Sequence, residues 1–244
     1  MHSLAAVLYL IPLAAAGQST SCGHLNNKMT DEVRQVFLDT HNEWRSLVAR
    51  GKAEDPAATG GFAPKASQMV KLWYDCKLEE SAKQVAEKCA NEHSGGDYGE
   101  NLFAASFAGY DLDEVAKMAV NRWAGELEKF GVGDNLIFPT KRGTGHYTQV
   151  VWQHTTRVGC YINDECFPDS AGWKTQVICQ YRPADDHGVT TCSTATTLNF
   201  RGNYIGREVY SKGEPCKKDS DCKCYKCSCL ADEGLCYDPN SLTN

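Results

Sequence analysis

The chain has 244 residues, a formal net charge of −6 and 42% hydrophobic residues. This acidic balance argues against a nucleic acid or an anionic membrane as the main partner, because binding to either requires a basic face. The length suits one well-buried domain with a small appendage and argues against two large domains.

The first segment of the chain predicts a secretory signal peptide over residues 1–17. Its apolar run, residues 4–16, is shorter than the ~20 residues that cross a bilayer, and it ends in the small residues that signal peptidase prefers. A buried N-terminal helix is the alternative, because no Lys or Arg precedes the run. No later stretch is long and uncharged enough to span a membrane, so we expect a soluble, secreted, extracellular protein.

Cysteine usage points to an oxidising compartment, because all thirteen cysteines follow the predicted cleavage point. The sequence leaves their connectivity open. The odd count means that one thiol stays free, pairs between chains or is modified. The candidates for disulfides are Cys22, Cys76, Cys89, Cys160, Cys166, Cys179, Cys192, Cys216, Cys222, Cys224, Cys227, Cys229 and Cys236.

The first predicted element is an amphipathic helix over residues 30–50. Its apolar residues recur at steps of three and four, with Thr30 placed as the N-cap and Gly51 placed to end the helix. Residues 51–68 then lack any periodicity and are rich in Gly, Pro and Ala, which predicts a long surface loop.

Further helices and then strands follow along the chain. Helical spacing restarts over residues 78–89, and a third helix is predicted to open at Asp111. Alternating patterns over residues 158–162 and 175–181 predict two strands. Helices followed by antiparallel strands predict an α+β fold in which helices cover a sheet. The inner face of the third helix is expected to be formed by Val115, Ala119, Trp123 and Phe130.

The last segment, residues 214–244, differs from the rest of the chain in composition. It holds six cysteines, many Lys and Asp residues and few large apolar side chains. A segment this small cannot be stabilised by burial alone, so we expect disulfides to hold it. Cys224 and Cys227 have the spacing of a zinc or redox motif, but an oxidising compartment favours a structural disulfide.

Several motifs in sequence order resemble the cysteine-rich secretory, antigen-5 and pathogenesis-related superfamily over about residues 22–215. They are THNEWR at residues 40–45, the run from Cys89 through His93 and Ser94 to Gly99, Glu100 and Asn101, WAGE at 123–126, GHYTQVVWQHTTRVGC at 145–160, CQY at 179–181 and GNYIG at 202–206. Within that superfamily, KGEPC at residues 212–216 and GLC at 234–236 are most similar to the activation-associated secreted, or venom-allergen-like, proteins of parasitic nematodes.

This resemblance implies a three-layer α-β-α sandwich with a broad cleft and a small cysteine-rich, hinge-like C-terminal extension. The domain itself is then expected over residues 18–213 and the extension over residues 214–244. The family usually runs from the Cys-Gln-Tyr strand almost directly into the Gly-Asn-Tyr segment. Residues 182–201, which carry Cys192, therefore resemble an insertion.

The resemblance also implies a cleft lined by His93, Glu100, Glu126 and His146. Neutral imidazoles can bind a zinc-like cation, and adjacent carboxylates can orient a water or fix the imidazole tautomer. Two His ligands fall short of the usual three or four, so we expect any divalent cation, such as Zn²⁺, to bind weakly and not to be required. The alternative is a hydrogen-bonded polar cluster that braces the helix ends without metal.

A hydrolase remains the minority interpretation, and no catalytic residue is predicted. Ser94, next to His93, is the nearest candidate nucleophile, but no Gly-x-Ser-x-Gly or His-Glu-x-x-His pattern is present. Water activated by a metal between the two His residues, with Glu100 or Glu126 as base, is chemically possible. His41 lies on the apolar stripe of the first helix, which favours a framework role over catalysis.

The leading functional hypothesis is a non-enzymatic secreted effector that binds a host extracellular protein or receptor, or a small lipid, and modulates immune or haemostatic responses. A sterol or fatty-acid carrier is the second hypothesis, and a metal-assisted hydrolase is the third. Phe103, Phe107 and Tyr110 lie near the position of a sterol-binding loop in related proteins, although ordinary packing explains such residues equally well. Fold-level resemblance does not choose among these functions.

Overall fold

The structure is a computed structural model. The signal peptide predicted over residues 1–17 lies outside the described residues, as does the predicted insertion beyond Arg182, with its Cys192. The described residues are 20–23, 28–140, 143–166, 172–182, 202–224 and 226–238.

Five α-helices are present in the described part of the chain: α1 Asp31–Ala49, α2 Cys76–Ala86, α3 Leu112–Ala124, α4 Glu126–Phe130 and α5 Gly145–Val150. The prediction of α1 is confirmed, because Thr30 is its N-cap and its side chain accepts a hydrogen bond from the backbone N–H of Val33. Within the described ranges, no helix combines the length and the apolar character needed to cross a membrane.

Two details of the predicted helices were wrong. The second helix ends at Ala86, and Cys89 lies beyond it with a φ of 52°, outside helical geometry. The third helix ends at Ala124, and Phe130 belongs to α4, where 43% of it is exposed. Both residues fit the apolar period of the preceding helix, but the period does not show where a helix stops.

A four-stranded sheet forms the middle layer, in the order β1-β3-β4-β2. Strands β2 and β3 both pair antiparallel with β4, and β1 pairs parallel with β3. The two strands predicted from alternation are confirmed as β3 and β4, whereas β2 was not predicted. The strands are β1 Trp73–Tyr74, β2 Gly99–Ala105, β3 Arg157–Asn163 and β4 Thr175–Arg182.

Helices cover both faces of this sheet, as the three-layer α-β-α prediction requires. On one face α2 lies so close to β3 that a Cβ on Gly159 would collide with the backbone of Asp75 and Glu79. On the other face the Trp123 side chain of α3 donates to the backbone carbonyl of Leu102 in β2. Nearly every residue of β3 and β4 is therefore buried, including the polar ones.

The segment predicted as a surface loop, residues 51–68, is partly packed into the protein. Ala53, Ala63 and Ala66 are buried against the main core. The carboxylate of Asp55 is fully buried as well, and it accepts hydrogen bonds from the backbone N–H groups of Ala57, Val132 and Gly133. These bonds compensate the cost of burying a charge and fix the loop on the core.

The C-terminal tail contains a turn of 3-10 helix, Asp219–Asp221, and a hairpin of β5 Ser228–Leu230 and β6 Leu235–Tyr237. Leu235 is fully buried in the main hydrophobic core. Cys236 exchanges backbone hydrogen bonds of 2.8 Å with Met69 and Lys71. The tail is therefore attached to the domain by burial and hydrogen bonds in addition to its disulfides.

All twelve cysteines in the described part of the chain form disulfides, which confirms a disulfide-bonded protein. The pairs are Cys22–Cys76, Cys89–Cys166, Cys160–Cys179, Cys216–Cys229, Cys222–Cys236 and Cys224–Cys227. The sulfurs of Cys216, Cys222 and Cys236 lie within 4.8 Å of one another. They do not form a zinc site, because a sulfur in a disulfide is not a thiolate ligand.

Candidate functional site

The four residues predicted to line the cleft come from four different places in the fold. His93 lies in the loop between α2 and β2, and Glu100 is the second residue of β2. Glu126 is the first residue of α4, and His146 is the second residue of α5. The structure joins them as two His–Glu pairs.

The first pair joins His93 to Glu100. Nδ1 of His93 lies 3.1 Å from Oε1 of Glu100, which also accepts the backbone N–H of Ser94 at 2.8 Å. The other oxygen, Oε2, accepts from Nε2 of Gln180, the residue opposite Glu100 on β4, at 2.9 Å. The Glu100 side chain is 4% exposed and the His93 side chain 66%, so a buried carboxylate holds an accessible imidazole.

In this pair, each group stabilises the charged form of the other. The hydrogen bond to Glu100 raises the pKa of His93 above its usual value, against an opposing effect of burial. Burial acts to raise the pKa of Glu100, but hydrogen bonds from His93, Gln180 and Ser94 outweigh it and lower that pKa. Glu100 is therefore a stable carboxylate at neutral pH, and His93 takes up a proton more readily than a free histidine.

The second pair joins His146 to Glu126. Nδ1 of His146 lies 2.6 Å from Oε1 of Glu126. Oε2 of Glu126 accepts the backbone N–H groups of His146 at 2.9 Å and Tyr147 at 3.1 Å. The first turn of a helix has N–H groups without partners, and the N-cap residue Thr144 provides no side-chain bond here. Glu126 therefore caps α5 from another helix.

Both histidines direct the same nitrogen into the protein. Since Nδ1 faces a carboxylate in each pair, the neutral ring carries its proton there, and Nε2 keeps the lone pair that a cation needs. Each of the two rings thus has the chemistry of a ligand for a zinc-like ion. In the ranges that the structure describes, no third His, Cys, Asp or Glu ligand atom lies within 4.8 Å of both members of either pair. Such a site would be open and weak.

A buried polar chain lies behind the His146 pair. Nδ2 of Asn101 donates to the backbone carbonyl of His146 at 3.1 Å and to the hydroxyl of Tyr181 at 3.2 Å. That hydroxyl lies 2.8 Å from Nε2 of His41, whose Nδ1 lies 2.7 Å from the carbonyl of Phe37. A carbonyl only accepts, so Nδ1 of His41 carries the proton and the Tyr181 hydroxyl donates to Nε2.

His41 is therefore a framework residue, as its place on the apolar stripe suggested. It is fully buried, and burial lowers its pKa to about 4. Sequence reasoning missed the contributions of Asn101 and Tyr181. Asn101 follows Glu100 and Tyr181 follows Gln180, each within a motif that was recognised. Successive residues of a strand point to opposite faces of the sheet, so their adjacency did not show that Asn101 and Tyr181 also contribute to the site.

Ser94 is not set up as a nucleophile. Its hydroxyl accepts the backbone N–H of Gly96 at 3.3 Å, and its own backbone N–H donates to Glu100. No imidazole nitrogen within the described ranges bonds to the Ser94 hydroxyl. In the described part of the chain, the serine therefore lacks the imidazole contact that a Ser–His pair requires.

Two further surface features are candidates for binding. Phe107 and Tyr110, after β2, bring their rings to 4.6 Å, and Tyr110 is 51% exposed. A groove of about 470 Å³ lies between α1 and the tail. Its charged lining residues are Asp39, Glu43, Arg50, Lys71, Asp232 and Glu233.

A family model described as CAP, the cysteine-rich secretory protein family, matches residues 38–181. The fold and the two His–Glu pairs agree with this match. The chain belongs to this family. This confirms the resemblance that the sequence motifs predicted.

Among curated relatives, Ancylostoma secreted protein of Ancylostoma caninum is 37% identical over 227 residues, which cover 88% of this chain and 46% of that protein. Hookworm platelet inhibitor 1 of the same species is 27% identical over 207 residues, covering 85% of this chain and 82% of the relative. The chain spans about half the length of several of the curated relatives it matches. The solved structure of NaASP2 with Zn²⁺ is 37% identical and superposes with a TM-score of 0.68, covering 87% of this chain and 98% of that one.

Proposed function

We propose that this chain is a secreted, venom-allergen-like effector that binds a host extracellular protein or receptor, or a small lipid, and so modulates immune or haemostatic responses. In this proposal residues 1–17 are a signal peptide, residues 18–213 form the CAP domain with an insertion near 182–201, and residues 214–244 form the tail. The protein acts by binding and not by catalysis.

The observation that carries this proposal is the engagement of both cleft carboxylates. Glu100 accepts hydrogen bonds from His93, Ser94 and Gln180. Glu126 accepts from the ring and backbone of His146 and from Tyr147. A general base needs an oxygen directed at the proton that it removes. These oxygens are directed at backbone N–H groups, imidazoles and the Gln180 amide, which favours a bracing role.

Two relatives support a host-directed, secreted function. Ancylostoma secreted protein is secreted by name, and hookworm platelet inhibitor 1 is named for an effect on platelets. Six disulfides fit an extracellular protein as well. A haemostatic or immune target is therefore the partner class that we favour.

The cleft is proposed to hold a divalent cation weakly through Nε2 of His93 and Nε2 of His146. The chemistry of these two nitrogens and the Zn²⁺ in the NaASP2 structure support this part of the proposal. When bound, the ion would supply a positive centre at the cleft surface that a carboxylate or a carbonyl of a partner could reach. Glu100 and Glu126 orient the two rings for it.

The groove between α1 and the tail favours a protein as the partner. Four of its lining residues are carboxylates and two are cations, which suits a polar or basic face of a protein partner. The ring contact between the half-buried Phe107 and the exposed Tyr110 is the observation that keeps the sterol or fatty-acid carrier as a second candidate.

The deciding experiment analyses native, secreted material. Mass spectrometry would measure bound lipid and metal, and the same preparation would be assayed for binding to host extracellular proteins and for turnover of a peptide library with and without Zn²⁺. We expect protein binding that survives chelation and lipid removal. Zinc-dependent peptide turnover would overturn the proposal in favour of the hydrolase, and a stoichiometric lipid without protein binding would favour the carrier.

A further inference from the structure

Tyr110 lies in the loop between β2 and α3, and it is the most exposed tyrosine in the described part of the chain, at 51%. Its ring contacts the ring of Phe107, with the two centroids 4.6 Å apart, so the ring is held on one side. Within the described ranges its hydroxyl takes part in no hydrogen bond. The phenol oxygen is therefore accessible to an enzyme that modifies it.

The backbone around Tyr110 is accessible as well. Residues 108–111 are all exposed. Residues 108–110 share no backbone hydrogen bond with another residue that the structure describes. The chain is fixed on either side, because the Thr175 hydroxyl donates to the carbonyl of Phe107 at 2.6 Å and Asp111 caps α3. A catalytic cleft could therefore enclose this loop without unfolding β2 or α3.

The charge around Tyr110 is negative. The five residues on either side of it include Asp111, Asp113 and Glu114 and contain no Lys, Arg or His. Desolvation and the negative charges of Asp111 and Glu32 raise the pKa of Asp113 above its usual value. Glu32 belongs to the first turn of α1, so a second helix adds to the negative potential at this loop.

The other two exposed tyrosines in the described part of the chain have different surroundings. Tyr98 is 37% exposed, and its acidic neighbours within five residues are Asp97 and Glu100. The Glu100 side chain, however, is only 4% exposed and is engaged by His93. Tyr204 is 41% exposed, but the five residues on either side of it hold two arginines and one glutamate. Exposure and an accessible acidic flank therefore coincide at Tyr110.

These features match the needs of a sulfuryl transfer. A donor of the adenosine phosphosulfate class is a polyanion, so an enzyme that binds it needs a cationic cleft. An acidic flank next to the acceptor tyrosine is complementary to such a cleft. We propose that Tyr110 is a site of O-sulfation in the secretory pathway.

The step transfers one SO₃ group. The phenol oxygen of Tyr110 forms a bond to sulfur, and the bond between sulfur and the bridging oxygen of the donor breaks. That oxygen leaves with the electron pair as part of the nucleotide phosphate, and the phenolic proton passes to a base of the transferase.

This inference rests on the proposed secretion, because tyrosine is sulfated in the lumen of the secretory pathway. It also deepens the proposed binding function. A sulfate on Tyr110 adds a permanent negative charge beside Asp111, Asp113 and Glu114, so the partner surface that fits here is a basic face of a protein.

The test uses the full, disulfide-bonded chain in two preparations. The purified protein is incubated with a purified tyrosylprotein sulfotransferase and its donor, and the chain is also secreted from cultured animal cells. Peptide mapping by mass spectrometry should find one added SO₃ group at Tyr110 in both. The modification should be lost in Tyr110→Phe and kept in the control Tyr204→Phe.

No modification in the purified reaction, or modification of Tyr98 or Tyr204 in place of Tyr110, would overturn the proposal. An unmodified Tyr110 in secreted material would overturn it as well. Retention of the chain inside the cells would instead contradict the proposed secretion, and the purified reaction then decides the modification by itself.

A triple variant tests the acidic flank. Asp111→Asn, Asp113→Asn and Glu114→Gln remove three charges, and Asn still caps α3. At limiting transferase we expect the rate of sulfation to fall about tenfold or more, because the acidic flank no longer attracts the cationic cleft. The matched control, Asp39→Asn with Glu43→Gln, removes exposed carboxylates from α1 and should keep the wild-type rate. Equal rates in the triple variant and the control, with unchanged circular dichroism, would overturn the role of the flank.

Discussion

Glu126 holds His146 by its side chain and its backbone at once, with Oε1 at 2.6 Å from the ring and Oε2 at 2.9 Å from the backbone nitrogen. Glu100 is used in a related way, since one of its oxygens serves both the ring of His93 and the backbone N–H of Ser94. Each carboxylate therefore fixes a ring and the chain next to it. The predictions for the cleft depend on this double role.

Replacing both Glu100 and Glu126 by Gln should leave partner binding largely intact. An amide retains one oxygen to accept hydrogen bonds and keeps the shape of the side chain, whereas the loss of an acid/base carboxylate costs on the order of 10²-fold or more in rate. Host-protein binding and peptide hydrolysis would be measured on the same preparation, with circular dichroism as the test of folding. Glu128→Gln, an exposed neighbour in α4, is the matched control.

A robust hydrolytic rate in the wild type that collapses only in this double variant would contradict a binding function. Loss of partner binding without any hydrolysis would instead make the cleft itself the recognition surface.

Zn²⁺ should bind weakly at pH 7.5 and lose affinity as the pH falls to 5.5. The hydrogen bond to Glu100 raises the pKa of His93, so protons compete with the ion at a higher pH than they would at a free histidine. His93→Ala and His146→Ala should each lower the affinity about tenfold or more by calorimetry. His154→Ala, which belongs to neither pair, should not, and an unchanged affinity in His93→Ala would place the ion elsewhere.

Burial of His41 should make the protein less stable as the pH falls from about 6.5 to 4. Its pKa is lowered to about 4 in the folded state, so over this range the unfolded chain binds a proton that the folded chain excludes. The effect is about 3 kcal/mol in the free energy of unfolding, and above pH 6.5 it is constant. Urea unfolding of wild type and His41→Gln across this range measures it. Parallel pH profiles for the two proteins would show that His41 does not titrate as its burial requires.

Leu235 should stabilise the whole protein and not only the tail. It is fully buried in the main core, so Leu235→Ala should lower the free energy of unfolding by about 2–4 kcal/mol. Leu230→Ala, on the partner strand of the same hairpin but only half-buried, is the control and should cost less. Equal losses in the two variants would mean that the tail is not anchored through Leu235.

Local signals explain which parts of the fold were predictable. Thr30 and the spacing that follows it act within one helix, so α1 could be placed almost to the residue. Strand β2 was missed because its polar residues Glu100 and Asn101 face buried partners, not solvent. Phe130 was assigned to the wrong helix because the period of α3 continues past Gly125, where the helix itself ends.

The sequence by itself determined the family and the cysteine-rich character, and it predicted which His and Glu residues line the cleft, because each of these is a matter of residue type in order along the chain. The tertiary structure decided which partners meet. His93 pairs with Glu100, seven residues away, and His146 pairs with Glu126, twenty residues away. Cys22 forms a disulfide with Cys76, 54 residues further along the chain. Such contacts depend on how helices and sheet pack, and packing depends on the whole chain at once, so no local pattern encodes them.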